Sequence, residues 1–278
     1  MCFLAVTATV HAESCSSDAT DISVGPPWAL PQMQLPGYAQ AATSQQPLLI
    51  GASPGTTGTM SLYYALKLLN ISVVHYTRQF NASTGRESTS YALGGGPVPL
   101  LKPLFHDSQP APPVDLAAVR ALDLRFLGCT DALLDTPTQE IFFHLLATFP
   151  NARVVLTLRD PVAWAKSRRR RHPTDRAPVL PLFGVEVPMG ALSAEQAATA
   201  LAMWHKIVAA SVAPERLLVL DILGTPSDVL WRRLCAFLGR PLPRDVDGSL
   251  PPFPNLGYGD DMQLDSSRAG LTQAPSGT

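Results

Sequence analysis

Lysine is scarce in this chain of 278 residues: it occurs only as Lys67, Lys102, Lys166 and Lys206. Arginine carries nearly all the positive charge, and the two signs cancel, with 21 Lys and Arg against 22 Asp and Glu and a net charge of −1. That balance excludes a global field drawing the protein onto nucleic acid or an anionic membrane. An anion must be held locally, by a few arginines and backbone N–H groups. Cysteine is equally sparse, and Cys2, Cys15, Cys129 and Cys235 form no CxxC pair and no Cys/His ligand spacing. The sequence therefore offers no metal site. No apolar run approaches the ~20 residues a membrane helix needs, so no transmembrane segment is expected in this chain. No internal repeat is present.

What the chain does have is 46 % hydrophobic and 15 % charged residues, enough for a sizeable core in one α/β domain with insertions. Residues 1–46 read as a disordered leader, rich in Ser, Pro, Gln and Ala over 13–46. Met1 to Ala12 is apolar but lacks a positive n-region, which leaves a partial signal segment as the alternative reading. Two sequons, Asn70-Ile71-Ser72 and Asn81-Ala82-Ser83, suit a secretory lumen or secretion. The missing anchor and poor signal keep the cytoplasm open.

Order is expected from Pro47. Leu48-Leu49-Ile50 reads as a buried strand, Met60 to Leu69 has helical apolar spacing, and Ile71 to His75 reads as a second strand. Strand, loop, helix, strand is a βαβ unit, for which parallel pairing is the default. Residues 77–112 are Gly/Pro/Ser-rich and read as a lid or substrate insertion. Further on, the patterning predicts a strand over Phe126–Cys129 and a helix over 138–149. A near-continuous apolar strand is expected over 152–158, then a helix from Pro161 to Arg171. A long helix capped by Ser193, a strand over 217–220, and a helix closed by Gly239 complete the series. The expected fold is α/β: a three-layer nucleotide-binding fold of the P-loop type, with a central parallel sheet, over 47–262. Residues 263–278 read as a disordered tail.

The segment most informative about chemistry is Gly51-Ala-Ser-Pro-Gly-Thr-Thr-Gly-Thr-Met-Ser61, between the first strand and helix. Glycines let the backbone fold back so that N–H groups converge, and the helix N-terminus adds positive potential. The candidate phosphate-binding residues are Gly55, Thr56, Thr57, Gly58, Thr59, Met60 and Ser61, with hydroxyls adding hydrogen bonds. A tight strand-to-helix turn with Thr caps is the plainer reading of the same residues. The GxxxxGK[ST] pattern is not met, because Thr59 follows Gly58. That argues against an ATPase or GTPase, which needs the lysine and an acidic metal partner.

Thr57-Gly58-Thr59 followed by Ser61-Leu62 resembles the 5′-phosphosulfate loop of the P-loop sulfotransferases. Arg159 and Ser167, eight residues apart at a strand end and on the next helix, resemble that family's 3′-phosphate site. Asp135-Thr136-Pro137, Phe149 to Arg153 and Cys235 to Pro243 agree in kind, so the resemblance covers roughly 47–76 and 128–245. It implies 3′-phosphoadenosine 5′-phosphosulfate as co-substrate, and a carbohydrate or small-molecule acceptor sulfated on a hydroxyl or amine. The chain is read as a divergent member, because Thr56 stands where the family carries Lys or Arg. His75, Arg78, Lys102 and His106 are the nearby cations considered as replacements. A degenerate nucleotide-binding relative, or another P-loop kinase, is the alternative function.

For the base that deprotonates the acceptor, the candidates are Asp135, with Asp131 behind it; His75 is the further catalytic candidate, as a substitute cation. Both aspartates are expected to follow the 126–129 strand, at the edge where α/β proteins bind ligands. Asp135 could equally cap the next helix. Arg168 to Arg171 form a basic cluster that either grips a phosphate or an acidic acceptor or simply ends a solvated helix.

Overall fold

The structure, a computed structural model, describes residues 47–76, 78–89, 130–136, 138–175, 177, 180 and 187–256. The leader 1–46, the strand expected at 126–129, Lys102, His106 and the tail 263–278 lie outside the described residues. The chain runs β1 (Leu49–Gly51), α1 (Thr59–Leu68), β2 (Val73–His75), β3 (Arg78–Asn81), β4 (Arg86–Thr89) and β5 (Ala132–Leu134). It continues through α2 (Phe142–Thr148), β6 (Arg153–Leu158), α3 (Pro161–Arg171), α4 (Ala194–Ser211), β7 (Leu217–Asp221) and α5 (Ser227–Leu238).

Seven strands form one sheet in the order β4-β3-β2-β5-β1-β6-β7. The five strands from β2 to β7 in that order pair in parallel, and β3 and β4 add an antiparallel hairpin at one edge. The βαβ unit expected at the start is present with one difference: β1 and β2 do not touch, because β5 lies between them with Ala132 opposite both Leu49 and Val73.

The alternation of side chains along buried strands explains the layers. Leu49, Val73, Leu134 and Val155 pack on one face with Leu62 and Leu66 of α1 and Trp231 and Leu234 of α5. Their neighbours Ile50, Val74, Leu133, Val154 and Leu156 pack on the other face with Phe142 and Leu145 of α2 and Trp204 and Val208 of α4. Both faces of each strand are thus covered, which is why these segments read as continuous apolar runs. A third cluster, Trp164, Ala165, Met189, Ala197 and Leu201, joins α3 to α4. Each Val, Leu, Ile, Phe or Met side chain among them contributes roughly 1.5–3 kcal/mol by leaving water. The result is a mixed α/β fold of three layers.

Local signals set the helix ends. Ser193 caps α4 through a reciprocal capping box with Gln196. Pro161 follows the Asp160 cap of α3, whose carboxylate accepts from the Ala163 N–H at 2.7 Å. Gly239 ends α5 in the left-handed region at φ 65°. Helix α2 is shorter than the expected 138–149, because residues 138–141 form turns before it.

The expected insertion 77–112 is corrected at its start. Residues 78–81 and 86–89 are sheet, and the rest lies outside the described residues apart from the turn between the two strands. The hairpin is fastened to α1 by Glu87, which accepts from Tyr63 Oη at 2.8 Å, pairs with Lys67, and lies 3.4 Å from Arg78 Nη1. Its turn is closed by Asn81, whose Oδ1 accepts from the Ser83 N–H, the Ser83 hydroxyl and the Thr84 N–H. The second sequon therefore has a structural role as an Asx turn.

Candidate functional site

Because five strands run parallel, their C-terminal ends share one edge of the sheet. That edge gathers His75 from β2, Asp135 just past β5, the 51–58 loop from β1, Arg159 just past β6, and Asp221 from β7.

The loop is held from beneath. Trp204 Nε1 donates to the Ala52 carbonyl at 2.6 Å and Trp164 Nε1 to the Gly55 carbonyl at 3.0 Å. Ser53 and Thr157 exchange hydrogen bonds: the Ser53 hydroxyl donates to the Thr157 carbonyl at 3.1 Å and accepts from the Thr157 N–H at 2.6 Å. The backbone then turns through left-handed Thr56 (φ 69°) and Gly58 (φ 98°) into α1. A β-carbon on Gly58 would press on Ile222 at 3.2 Å, so glycine there satisfies both the dihedral and the space.

The loop hydroxyls behave differently from expectation. Thr57 is buried, and its Oγ1 donates to the Pro54 carbonyl at 2.7 Å and lies 2.9 Å from Thr157 Oγ1. A hydroxyl has one proton, and here it is directed into the fold, toward the Pro54 carbonyl. Ser61 Oγ accepts from the Leu256 N–H at 3.0 Å. Thr59 Oγ1 lies 3.0 Å from His75 Nε2. Thr56 Oγ1 is buried without a hydrogen-bond partner. Met60 packs its side chain against the α1 core, so what it can offer an anion is its backbone at the first turn of the helix.

His75 and Asp135 are brought together. His75 is buried, and its Nε2 lies 3.4 Å from Asp135 Oδ2. Asp135 holds φ 63°, a strained conformation for a residue with a β-carbon. It does not cap α2, which begins at Phe142 after Ile141. Its backbone carbonyl instead accepts from the Thr138 N–H at 2.7 Å.

Asp131 lies apart from Asp135. The described strand is Ala132–Leu134, so Asp131 precedes it, at the opposite edge of the sheet from the loop. Its carboxylate accepts from the Ser72 N–H at 3.0 Å. Arg78 is also away from the loop, donating to Tyr64 Oη at 3.0 Å.

Two arginines reach the loop from the other side. Arg159 Nη1 donates to the Thr56 carbonyl at 2.7 Å. Burial first, and then the like charge of Arg171, lowers the Arg159 pKa, with Asp160 opposing. Cations held near one another are what an anion site requires. Arg168, one residue past buried Ser167, is itself buried. A β-carbon on Gly55 would lie 2.8 Å from Arg168 Nη1 and 2.9 Å from Asp135 Oδ1. Gly55 is therefore the point where cation, carboxylate and loop meet. Sequence reasoning treated Arg168 only as part of a cluster, since nothing in a run of four arginines says which one turns inward.

An open groove of about 500 Å³ between α3 and α4, lined by Pro161, Val162, Ala198 and Ala202 among others, contains none of the loop residues. No group of His, Cys, Asp and Glu among the described residues is arranged to hold a metal ion. Among the described residues no helix is long and apolar enough to cross a membrane.

Fold and site together define a mixed α/β protein with a mostly parallel central sheet, consistent with the P-loop sulfotransferase fold. The family model described as a sulfotransferase domain matches residues 48–181. The match spans the loop, His75, Asp135, Arg159, Ser167 and Arg168; it is consistent with a member of the sulfotransferase family and supports a sulfotransferase-like function. No curated protein matches it.

Proposed function

We propose that the protein transfers a sulfuryl group from 3′-phosphoadenosine 5′-phosphosulfate to a hydroxyl or amine of a carbohydrate or small-molecule acceptor. The observation carrying this reading is the corner where Thr56 Oγ1, Arg159 Nε and Arg168 Nε are buried without hydrogen-bond partners. Buried polar groups are normally paired. Three at one loop, two of them on permanent cations, fit an anionic ligand that supplies the missing acceptors.

In this reading the loop N–H groups and the first turn of α1 take the 5′-phosphosulfate, while Arg159 and Ser167 take the 3′-phosphate. The acceptor oxygen or nitrogen attacks sulfur, the bond from sulfur to the bridging phosphate oxygen breaks, and the electron pair leaves with adenosine 3′,5′-bisphosphate. The acceptor proton passes to the His75–Asp135 pair. Positive charge at the loop stabilises the leaving phosphate oxygen.

Calorimetric titration with adenosine 3′,5′-bisphosphate, with ATP and Mg²⁺ as control, tests the donor. Selective binding of the bisphosphate is expected, weakened at least tenfold in Arg159→Ala and in Ser167→Ala. Asp135→Asn is expected to keep that binding and to lose transfer of labelled sulfate by roughly 10²–10⁴-fold, the contribution of one positioned base. Preference for ATP with Mg²⁺ would turn the reading to a kinase. Bisphosphate binding with no transfer to any acceptor would leave a nucleotide-binding relative.

A further inference from the structure

The loop itself carries no cation, since Thr56 occupies the position before Thr57-Gly58-Thr59. We infer that Arg168 supplies that charge from outside the loop, its guanidinium contacting the 5′-phosphosulfate of the donor across Gly55. This rests on the donor reading above and adds the residue that makes it workable in this chain.

Four observations carry it. Arg168 is 9 % exposed, yet its Nη1 lies 2.8 Å from where a β-carbon on Gly55 would be, so the guanidinium rests against the bare backbone of the loop. Its Nε is buried without a partner. Its one described carboxylate contact, Asp175 Oδ2 at 3.3 Å from Nη2, is shared with His172 Nδ1 at 2.9 Å and is itself 44 % exposed. Asp135 Oδ1 borders the same Gly55 gap, but the guanidinium's direct counter-charge is solvated and divided, and an anion at the loop completes its contacts. The other described candidates are engaged differently: His75 faces Thr59 and Asp135, and Arg78 is tied to Tyr64 and Glu87.

The geometry also gives Gly55 and Asp175 a purpose. Gly55 leaves the gap through which a side chain from α3 can reach the loop. Asp175 holds one edge of the guanidinium fork and leaves the remaining N–H groups for a ligand. Helix α3 thus carries both halves of a two-phosphate grip: Ser167 on the 3′ side and Arg168, one residue on, on the 5′ side.

The test compares two ligands differing only at the 5′ position. Binding of adenosine 3′,5′-bisphosphate is measured by calorimetry and that of adenosine 3′-monophosphate by displacement, on wild type, Arg168→Ala and Arg168→Gln. Each variant is first checked for its thermal transition; Arg168→Gln keeps bulk and hydrogen bonding where alanine fails to fold. Loss of a charge-assisted contact predicts roughly a 10- to 100-fold weaker bisphosphate Kd, with the monophosphate changed less than about twofold. Equal loss for both ligands would make Arg168 a support of the fold and overturn the inference. Unchanged bisphosphate affinity would overturn it as well. Failure of the wild type to bind the bisphosphate would instead remove the donor reading itself, and the inference with it.

Discussion

At the scale of single residues, position 55 is constrained by charged side chains. Its backbone angles are unexceptional, so dihedral freedom does not demand glycine there. Space does, because Arg168 and Asp135 lie within 3 Å of where a β-carbon would be. Gly55→Ala must push one of these side chains away. The expected outcome is a folded protein destabilised by about 1–3 kcal/mol, the usual cost of overpacking. Its bisphosphate affinity should fall at least tenfold. Thermal melting and calorimetry on the same sample separate the two effects, and an alanine variant that binds like wild type would show that the corner has slack. Cys235 makes a contrast: burial raises its thiol pKa, which marks a packing residue rather than a nucleophile.

At the scale of elements, the hairpin β3–β4 is joined to α1 through one carboxylate. Burial alone would raise the pKa of Glu87, but hydrogen bonds from Lys67 and Tyr63 and the charges of Lys67 and Arg78 outweigh it and hold the group below its ordinary 4.5. The same arrangement, burial first and then the Glu87 carboxylate, pushes the Tyr63 phenol well up. A carboxyl depressed in the folded state stabilises it at pH above the unfolded value and loses that contribution as pH falls through the folded one. The attachment should therefore weaken as pH drops below about 4.5. Glu87→Gln should cost about 1–3 kcal/mol at pH 7 and flatten the acid limb of the stability curve. Denaturant titrations from pH 7 to pH 3 check this, and an unchanged acid limb in the variant would mean that Glu87 carries no such linkage. Because β2 ends in His75 and pairs with β3, loosening the hairpin also loosens the histidine's strand.

At the scale of the whole molecule, a ligand held by α1, α3 and the loop ties the first core cluster to the third, so its binding should register in global stability. Saturation at a hundred times Kd adds about 2.7 kcal/mol to the folded state. For a domain of this size that is a rise in Tm of about 5–10 °C. Scanning fluorimetry with the bisphosphate should show that rise, while ATP with Mg²⁺ should leave the transition in place; the reverse pattern would favour a kinase.

Much of the fold was legible along the chain because it is encoded locally. The paired apolar neighbours Val154-Val155 and Val73-Val74 announce strands covered on both faces. Ser193, Asp160-Pro161 and Gly239 mark helix ends through their own caps, and the 51–61 loop is read from its glycines and threonines. The Arg159/Ser167 spacing is local too, since a strand end and the next helix fix it. What the linear order hid depends on contacts between distant segments. The hairpin at 78–89 lacks strong alternation and is recognisable only beside β2. Asp131 and Asp135 look equivalent in sequence, yet a three-residue strand puts them at opposite edges of the sheet. The sequence does not show that Thr157, a hundred residues on, lies against the Thr57 hydroxyl. Arg168 is one of four identical neighbours, and only the packing of α3 on α4 decides which of them turns toward the loop. Sequence alone determined most of the parallel strands, several helix ends and the glycine-rich loop after β1, because each depends on near neighbours. Tertiary structure alone decided which charges meet at that loop, because burial and approach are set by segments that are far apart along the chain.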